Sequence, residues 1–234
     1  APSTSKISWI PDMTERLEKL CAHLSACGTF VDVGCDHGYC TRYMFENGLC
    51  SCAVITDISE KSLSKAERLL EKYISQGVCR PVCCDGLVGV EESCADLVLI
   101  AGMGGEEILK ILRESYIPRA FVFQPMKNAE QLRSFLIDSG CRIEYDGLFT
   151  ESRAGLIKNY FVIAGTRTGG TEPYTPAQLS FGRDSLGTKE LTDLLNYELK
   201  KNLAYAQGEL SPSSRAQVES RISFIKGVLG GENV

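Results

Sequence analysis

No apolar run in this sequence approaches the roughly 20 residues that span a bilayer, and residues 1–11 carry neither a basic nor an apolar segment of the secretory kind. A membrane or secreted protein is therefore not expected, and a cytoplasmic one is. Histidine is nearly absent, with only His23 and His37, and no Cys-x-x-Cys pair occurs, so no metal site is expected. Cysteine is not scarce: there are 11, an odd number that suits free thiols in a reducing compartment better than a disulfide framework. Most read as small buried hydrophobes. Proline is sparse at 8, and with 44% apolar and 24% charged residues the chain is neither disordered nor fibrous and can bury a core. An excess of basic charge is also missing. The net charge is −5, with the acidic excess confined to residues 1–165 while residues 166–234 balance, so a polyanion would have to bind through a local patch.

At 234 residues the chain is long for one compact domain and short for two. Residues 1–165 alternate β-rich apolar runs with amphipathic stretches, the pattern of a doubly wound α/β sheet. A helix over 13–24, capped by Thr14, precedes a strand at 29–33 that ends in Gly34. Further strands are predicted at 53–56, 78–84, 97–101 and 120–123, and two closing strands at 141–145 and 156–164, seven in all. The intervening helices fall at 61–73, 106–113 and 129–138. Residues 165–176 turn to Thr, Gly and Pro and mark a boundary. Beyond it, helices at 189–207 and 213–229 predict an antiparallel hairpin over residues 177–234, closed on itself as a monomer or pairing weakly with a second copy.

Ligands of open α/β sheets bind outside the carboxyl ends of the strands. Those ends carry a consistent set of residues: Asp32-Val-Gly-Cys-Asp-His-Gly38, then Asp57, then Asp85-Gly86, then Ala101-Gly-Met-Gly-Gly105, then Gln124-Pro125. Gly34 and Gly38 permit close backbone approach, an acid after the second strand can accept from ribose hydroxyls, and an acid after the third can accept from an adenine amine. A dinucleotide would require G-x-G-x-x-G, which is absent, and that speaks against an NAD-dependent oxidoreductase. Asp36 in the first turn would repel a pyrophosphate but suits the ammonium and sulfonium charges of S-adenosylmethionine.

With Asp32-Val-Gly-Cys-Asp-His-Gly-Tyr39, Ala101-Gly-Met-Gly-Gly105 and Gln124-Pro125 in view, the chain resembles the bacterial TrmK family, from Thr14-Glu-Arg-Leu17 to about Val162. The resemblance implies a Rossmann-like, seven-stranded class I methyltransferase core with a C-terminal helical hairpin, using S-adenosylmethionine to methylate N1 of adenine 22 in tRNA. It implies that Asp32, Gly34, Asp36, His37 and Gly38 surround the methionine end of the donor, Asp57 its ribose, and Asp85 with Gly86 its adenine. Ala101, Gly102, Met103 and Gly104 would floor the place where base meets methyl group, with Gln124, Pro125 and Tyr160 nearby. Asp36 is the carboxylate expected to assist. Arg16 and Lys127 near the pocket, and Lys189, Lys200, Lys201, Arg215, Arg221 and Lys226 on the hairpin, are candidates for tRNA phosphates. The sequence departs from the family at Cys35, Gly38 and Met126, where Ser, Ala and Asn are frequent. The family's Gly-Lys-x-Tyr-Glu segment reads here Gly155-Leu-Ile-Lys-Asn-Tyr160-Phe161, without the Glu. A small-molecule methyltransferase and a non-catalytic interaction protein with a methyltransferase-like core are the rival readings.

Overall fold

The structure, a computed structural model, describes residues 13–153 and 155–231, so the segment 1–11 discussed above lies outside it. Five parallel strands, β1 (Cys27–Val33), β2 (Cys50–Asp57), β3 (Cys79–Cys83), β4 (Leu97–Met103) and β5 (Ala120–Pro125), are followed by the antiparallel β6 (Arg142–Arg153) and β7 (Leu156–Thr166). They form one sheet in the order β3-β2-β1-β4-β5-β7-β6. The helices are α1 (Glu15–Cys21), α2 (Tyr39–Glu46), α3 (Glu60–Ser75), α4 (Gly105–Glu114), α5 (Ala129–Asp138), α6 (Pro176–Phe181), α7 (Lys189–Tyr205) and α8 (Pro212–Leu229).

The period-two alternation of each strand builds the layers. Phe30, Ile55, Leu97, Leu99 and Val122 face α1, α2 and α3, where Leu20, Met44, Ala66 and Leu70 complete one core. Their neighbours Val31, Val33, Val98, Ile100, Phe121 and Phe123 face α4 and α5, meeting Ile108, Leu112, Leu132 and Leu136 in a second. Because both faces are covered, the central strands read as unbroken apolar runs. Each fully buried side chain of this size contributes roughly 1.5–3 kcal/mol. Helix starts follow capping chemistry: Thr14 Oγ1 accepts from Leu17 N at 3.3 Å, and Ser59 Oγ from Ser62 N at 3.3 Å.

Two features differ from the sequence expectation. The sixth strand is far longer than predicted, since β6 runs to Arg153, and polar Asp146, Thr150 and Glu151 hid its alternation, whereas β7 begins at Leu156 as expected. The boundary region also holds α6 and a 3-10 turn at Arg183–Ser185. A six-residue helix is too short for periodicity, although Thr175 and Gln178 form a capping box with Pro176 at its start. Arg133 ties this segment down. Fully buried, it donates from Nε to both oxygens of Asp146 at 2.9 and 2.8 Å and from Nη1 to Leu179 O at 2.9 Å. The hairpin of α7 and α8 packs on the sheet edge through Leu191, Leu195 and Ile225 against Leu148 and Phe161.

Candidate active site

The strand order reverses between β1 and β4, and a cleft of about 880 Å³ opens there at the carboxyl ends of the strands. Its floor is the turn after β1. Gly34, Asp36 and Gly38 all have positive φ, at 67°, 46° and 75°, and the turn is anchored by Gly34 N and Cys35 N donating to Thr56 O at 2.8 and 3.1 Å. The left-handed backbone at Gly34 favours glycine, and a Cβ there would also push the Met103 Cε, 2.3 Å away, aside. On the other wall β4 carries an irregularity between Ala101 and Met103, which turns Gly102 and Met103 toward the cleft.

The acids at the strand ends are in different electrostatic states. Asp32 is buried, accepts from Thr41 Oγ1 at 2.7 Å, and has its pKa raised to about 6 chiefly by burial, with the charge of Asp57 adding. Asp57 lines the cleft while its Oδ1 accepts from Ser59 N at 2.8 Å and its Oδ2 from Asp36 N at 3.4 Å, so it braces the turn before α3 as well as forming a wall. Asp85 is paired with Lys110 Nζ at 3.0 Å. Asp36 lies on the rim, its carboxylate bonded to His37 Nδ1 at 2.8 Å and Lys65 Nζ at 3.2 Å. Partial burial raises its pKa, but these two partners together hold it below the ordinary value. The Cys35 thiol is pushed far up by burial and by Asp32 and Asp57, so it is no nucleophile. All eleven cysteines are free, and among the described residues no group of His, Cys, Asp and Glu converges on a metal position.

At the far end of the cleft stands a group that joins four elements. Arg16 of α1 donates from Nη1 to Gln124 Oε1 at 2.7 Å and lies 5.7 Å from the Tyr160 ring centroid. Glu151 of β6 accepts from Arg16 N at 3.3 Å and from Tyr160 Oη at 3.2 Å. Lys158 faces Glu151 across the β6–β7 ladder.

A family model described as methyltransferase domain matches residues 13–158. A Mycoplasma pneumoniae protein provisionally named a tRNA methyltransferase is 31% identical over 200 residues, covering 84% of this chain and 89% of that protein. The tRNA (adenine(22)-N(1))-methyltransferase of Bacillus subtilis is 27% identical over 135 residues, 53% of this chain and 54% of that protein. In fold, the M. capricolum TrmK solved with S-adenosyl-homocysteine matches with a TM-score of 0.83 at 20% identity, over 93% of this chain and 98% of its own. The chain belongs to the methyltransferase-domain family.

Of the residues that the TrmK resemblance singles out, Arg16, Asp32, Gly34, Asp36, His37, Asp57, Asp85, Gly86, Ala101, Gly102, Met103 and Tyr160 line the cleft together. Five others lie elsewhere. Gly38 faces α3, where a Cβ would meet Leu70 at 2.9 Å and Ala66 at 3.1 Å. Gly104 starts α4, donating to Glu107 Oε2 at 2.9 Å, and Lys127 packs against it from outside. Gln124 and Pro125 are buried behind the wall, with Gln124 reaching the cleft only through Arg16. Sequence reasoning missed Glu151, Lys158 and Lys110. The first two belong to the extended arm that the polar residues concealed, whereas Lys110 sits one helical turn past the A-G-M-G-G turn, a place worth reading. On the hairpin, Arg221 is paired with Glu198 at 2.6 Å and Arg215 donates to the Ala206 and Gly208 carbonyls.

Proposed function

We propose that this chain transfers the methyl group of S-adenosylmethionine to N1 of an adenine in tRNA, at position 22. The observation that carries the reading is that Asp32, Asp57 and Asp85, on three successive sheet positions, open into one cleft that ends at the Arg16, Glu151 and Tyr160 group. The donor's chemistry fits this lining: three carboxylates face a ligand bearing two positive centres and two ribose hydroxyls, and the left-handed Gly34 lets the backbone of the first turn run along the cleft beside Met103. A volume near 880 Å³ accommodates a nucleoside-sized ligand with room for a base. The names of the relatives point to the same donor and substrate.

When bound, the donor supplies an electrophilic methyl group on sulfur. The chain's own residues then position and desolvate. Asp57 accepts from the ribose hydroxyls with the lone pairs not used by Ser59 and the Asp36 amide. Asp85, held by Lys110, accepts from the adenine amine of the donor. Gly34 and Met103 set the approach at the methyl-bearing end. Adenine N1 already presents a lone pair, so in-line attack needs orientation and water exclusion more than a base. Both oxygens of Asp36 are engaged at the rim, and Glu151 is the carboxylate standing at the base end, where it can accept from the substrate's exocyclic amine and stabilise the cationic product. This replaces the assistance expected of Asp36. Exposed Lys200, Lys201 and Lys226 remain as phosphate contacts on the hairpin, and the packing of α7 on α8 supports a monomer.

The test is methyl transfer from labelled donor to unmodified tRNA, followed by nucleoside analysis. Appearance of 1-methyladenosine, abolished by replacing adenine 22, supports the reading. Donor binding without any labelled tRNA sinks the substrate and turns attention to small molecules.

A further inference from the structure

The β6–β7 arm does more than close the sheet. Strand β5 pairs with β7 only from Ala120 opposite Thr166 to Phe123 opposite Ile163, whereas the β6–β7 ladder continues out to Arg153 opposite Leu156. The arm therefore projects roughly 20 Å past its last contact with β5, at about 3.3 Å per residue. Side chains alternate along it. Tyr160 and Lys158 line the cleft, and the same face continues outward to Leu156, while Ile157 stands on the opposite face. At the tip, Leu156 and Ile157 are 68% and 69% exposed, two adjacent large aliphatics beside Gly155, where an added Cβ would meet nothing within 4 Å among the described residues.

We propose that Leu156 and Ile157 are an apolar wedge that enters the base stack of a structured RNA and holds open the gap left by the adenine drawn into the cleft. The proposal rests on the adenine-N1 reading above. N1 lies on the pairing edge of the base, so a stacked or paired adenine must leave its helix before it reaches Met103, at a cost of a few kcal/mol. Apolar side chains inserted between base steps offset that cost by replacing lost stacking, and long aliphatic side chains serve in this way. The geometry is continuous: one face of one strand runs from the aliphatic tip, past the cation of Lys158, to the buried Tyr160 at the base end of the cleft. A base leaving the stack at Leu156 is thus beside the opening it has to enter. Beside these two aliphatics, Lys158 supplies a cation toward the cleft for the nucleic-acid backbone.

The experiment compares the full chain with L156S/I157S on two RNAs. One is the tRNA with its target adenine paired, and the other is the same tRNA with an abasic site opposite that adenine. Both side chains are exposed, so the variant keeps its fold and its donor affinity, measured by calorimetry. Expected is a drop of at least about 10-fold in kcat/KM on the paired RNA, the share of a few-kcal/mol unstacking cost that the wedge bears, with recovery to nearly the wild-type rate on the abasic RNA. L156F, which keeps an apolar wedge, should retain activity on both. A target-site 2-aminopurine should brighten on binding to the wild type and not to the variant. No loss on the paired RNA, or an equal loss on both RNAs, overturns the wedge. So does a wild-type dimer in sedimentation that the variant breaks with equal loss on both, which would make the tip a contact between copies. Failure of the wild type to methylate either RNA would instead count against the function itself.

Discussion

Asp32 is an acid placed where burial works against its charge. It is 5% exposed, and its pKa is raised from 3.8 to about 6, first by burial and further by Asp57, with the Thr41 hydroxyl pulling the other way. The native state therefore holds this proton more tightly than the unfolded chain does. Between about pH 4 and pH 6 the folded form carries the extra proton, so stability falls as pH rises through that window, by about 3 kcal/mol at 1.36 kcal/mol per unit. Asp32→Asn removes the charge and keeps an oxygen for Thr41. Urea unfolding should show the variant more stable than wild type by up to about 3 kcal/mol at about pH 8, and within about 1 kcal/mol of it near pH 4. The same charge attracts the cationic end of the donor, so the variant should lose roughly 1–3 kcal/mol of donor affinity. Wild-type affinity should climb with pH through about 6 while that of the variant stays flat. A stability difference that does not change with pH would refute the argument, because it would mean that Asp32 ionises as it does in the unfolded chain.

Four further outcomes follow from named contacts. Asp57→Ala should weaken donor binding by roughly 1–3 kcal/mol by calorimetry, the cost of ligand hydroxyls without their charged acceptor. Gly34→Ala forces a left-handed residue, costing about 1 kcal/mol or more in unfolding experiments, and its new methyl displaces Met103, so donor affinity should fall as well. Glu151→Gln should lower kcat by roughly 10- to 100-fold with donor affinity unchanged, the loss of about 1.5–3 kcal/mol from one charged contact to the base. Arg133→Met should cost about 3–5 kcal/mol because Asp146 is left charged and buried, and adding Asp146→Leu should restore most of it in the same denaturation assay.

The donor end of the site was legible because its residues obey position rules. A parallel strand buried on both faces is an apolar run that stops where the chain leaves the sheet, so Asp32, Asp57, Asp85 and Ala101 could each be assigned to a strand end without a structure. The base end was not. Glu151 and Lys158 meet only because β6 and β7 stay paired far past β5, and that register is set by a turn at Gly155 that no local pattern announces. Gln124 and Gly38, expected at the ligand, lie instead behind the wall and against α3. A polar residue at a strand end and a glycine in a turn are equally required by a ligand and by packing, and only the direction of the side chain, or of the missing one, separates the two.

Gln124 shows what that direction does. It is fully buried at the end of β5, where Oε1 accepts a hydrogen bond from Arg16 Nη1 at 2.7 Å and Nε2 donates to Pro125 O at 3.2 Å. Both ends of the amide are committed, so the guanidinium is fixed beside Gly102 and over the Tyr160 ring. Arg16 also carries the backbone amide that Glu151 accepts from, and one turn on, Lys19 donates to Thr150 O at 2.5 Å. Helix α1 is thereby bonded to the core through Gln124 and to the projecting arm through Glu151 and Thr150. Arg16 therefore links β5, α1 and β6 at the base end of the cleft, the end from which the arm projects.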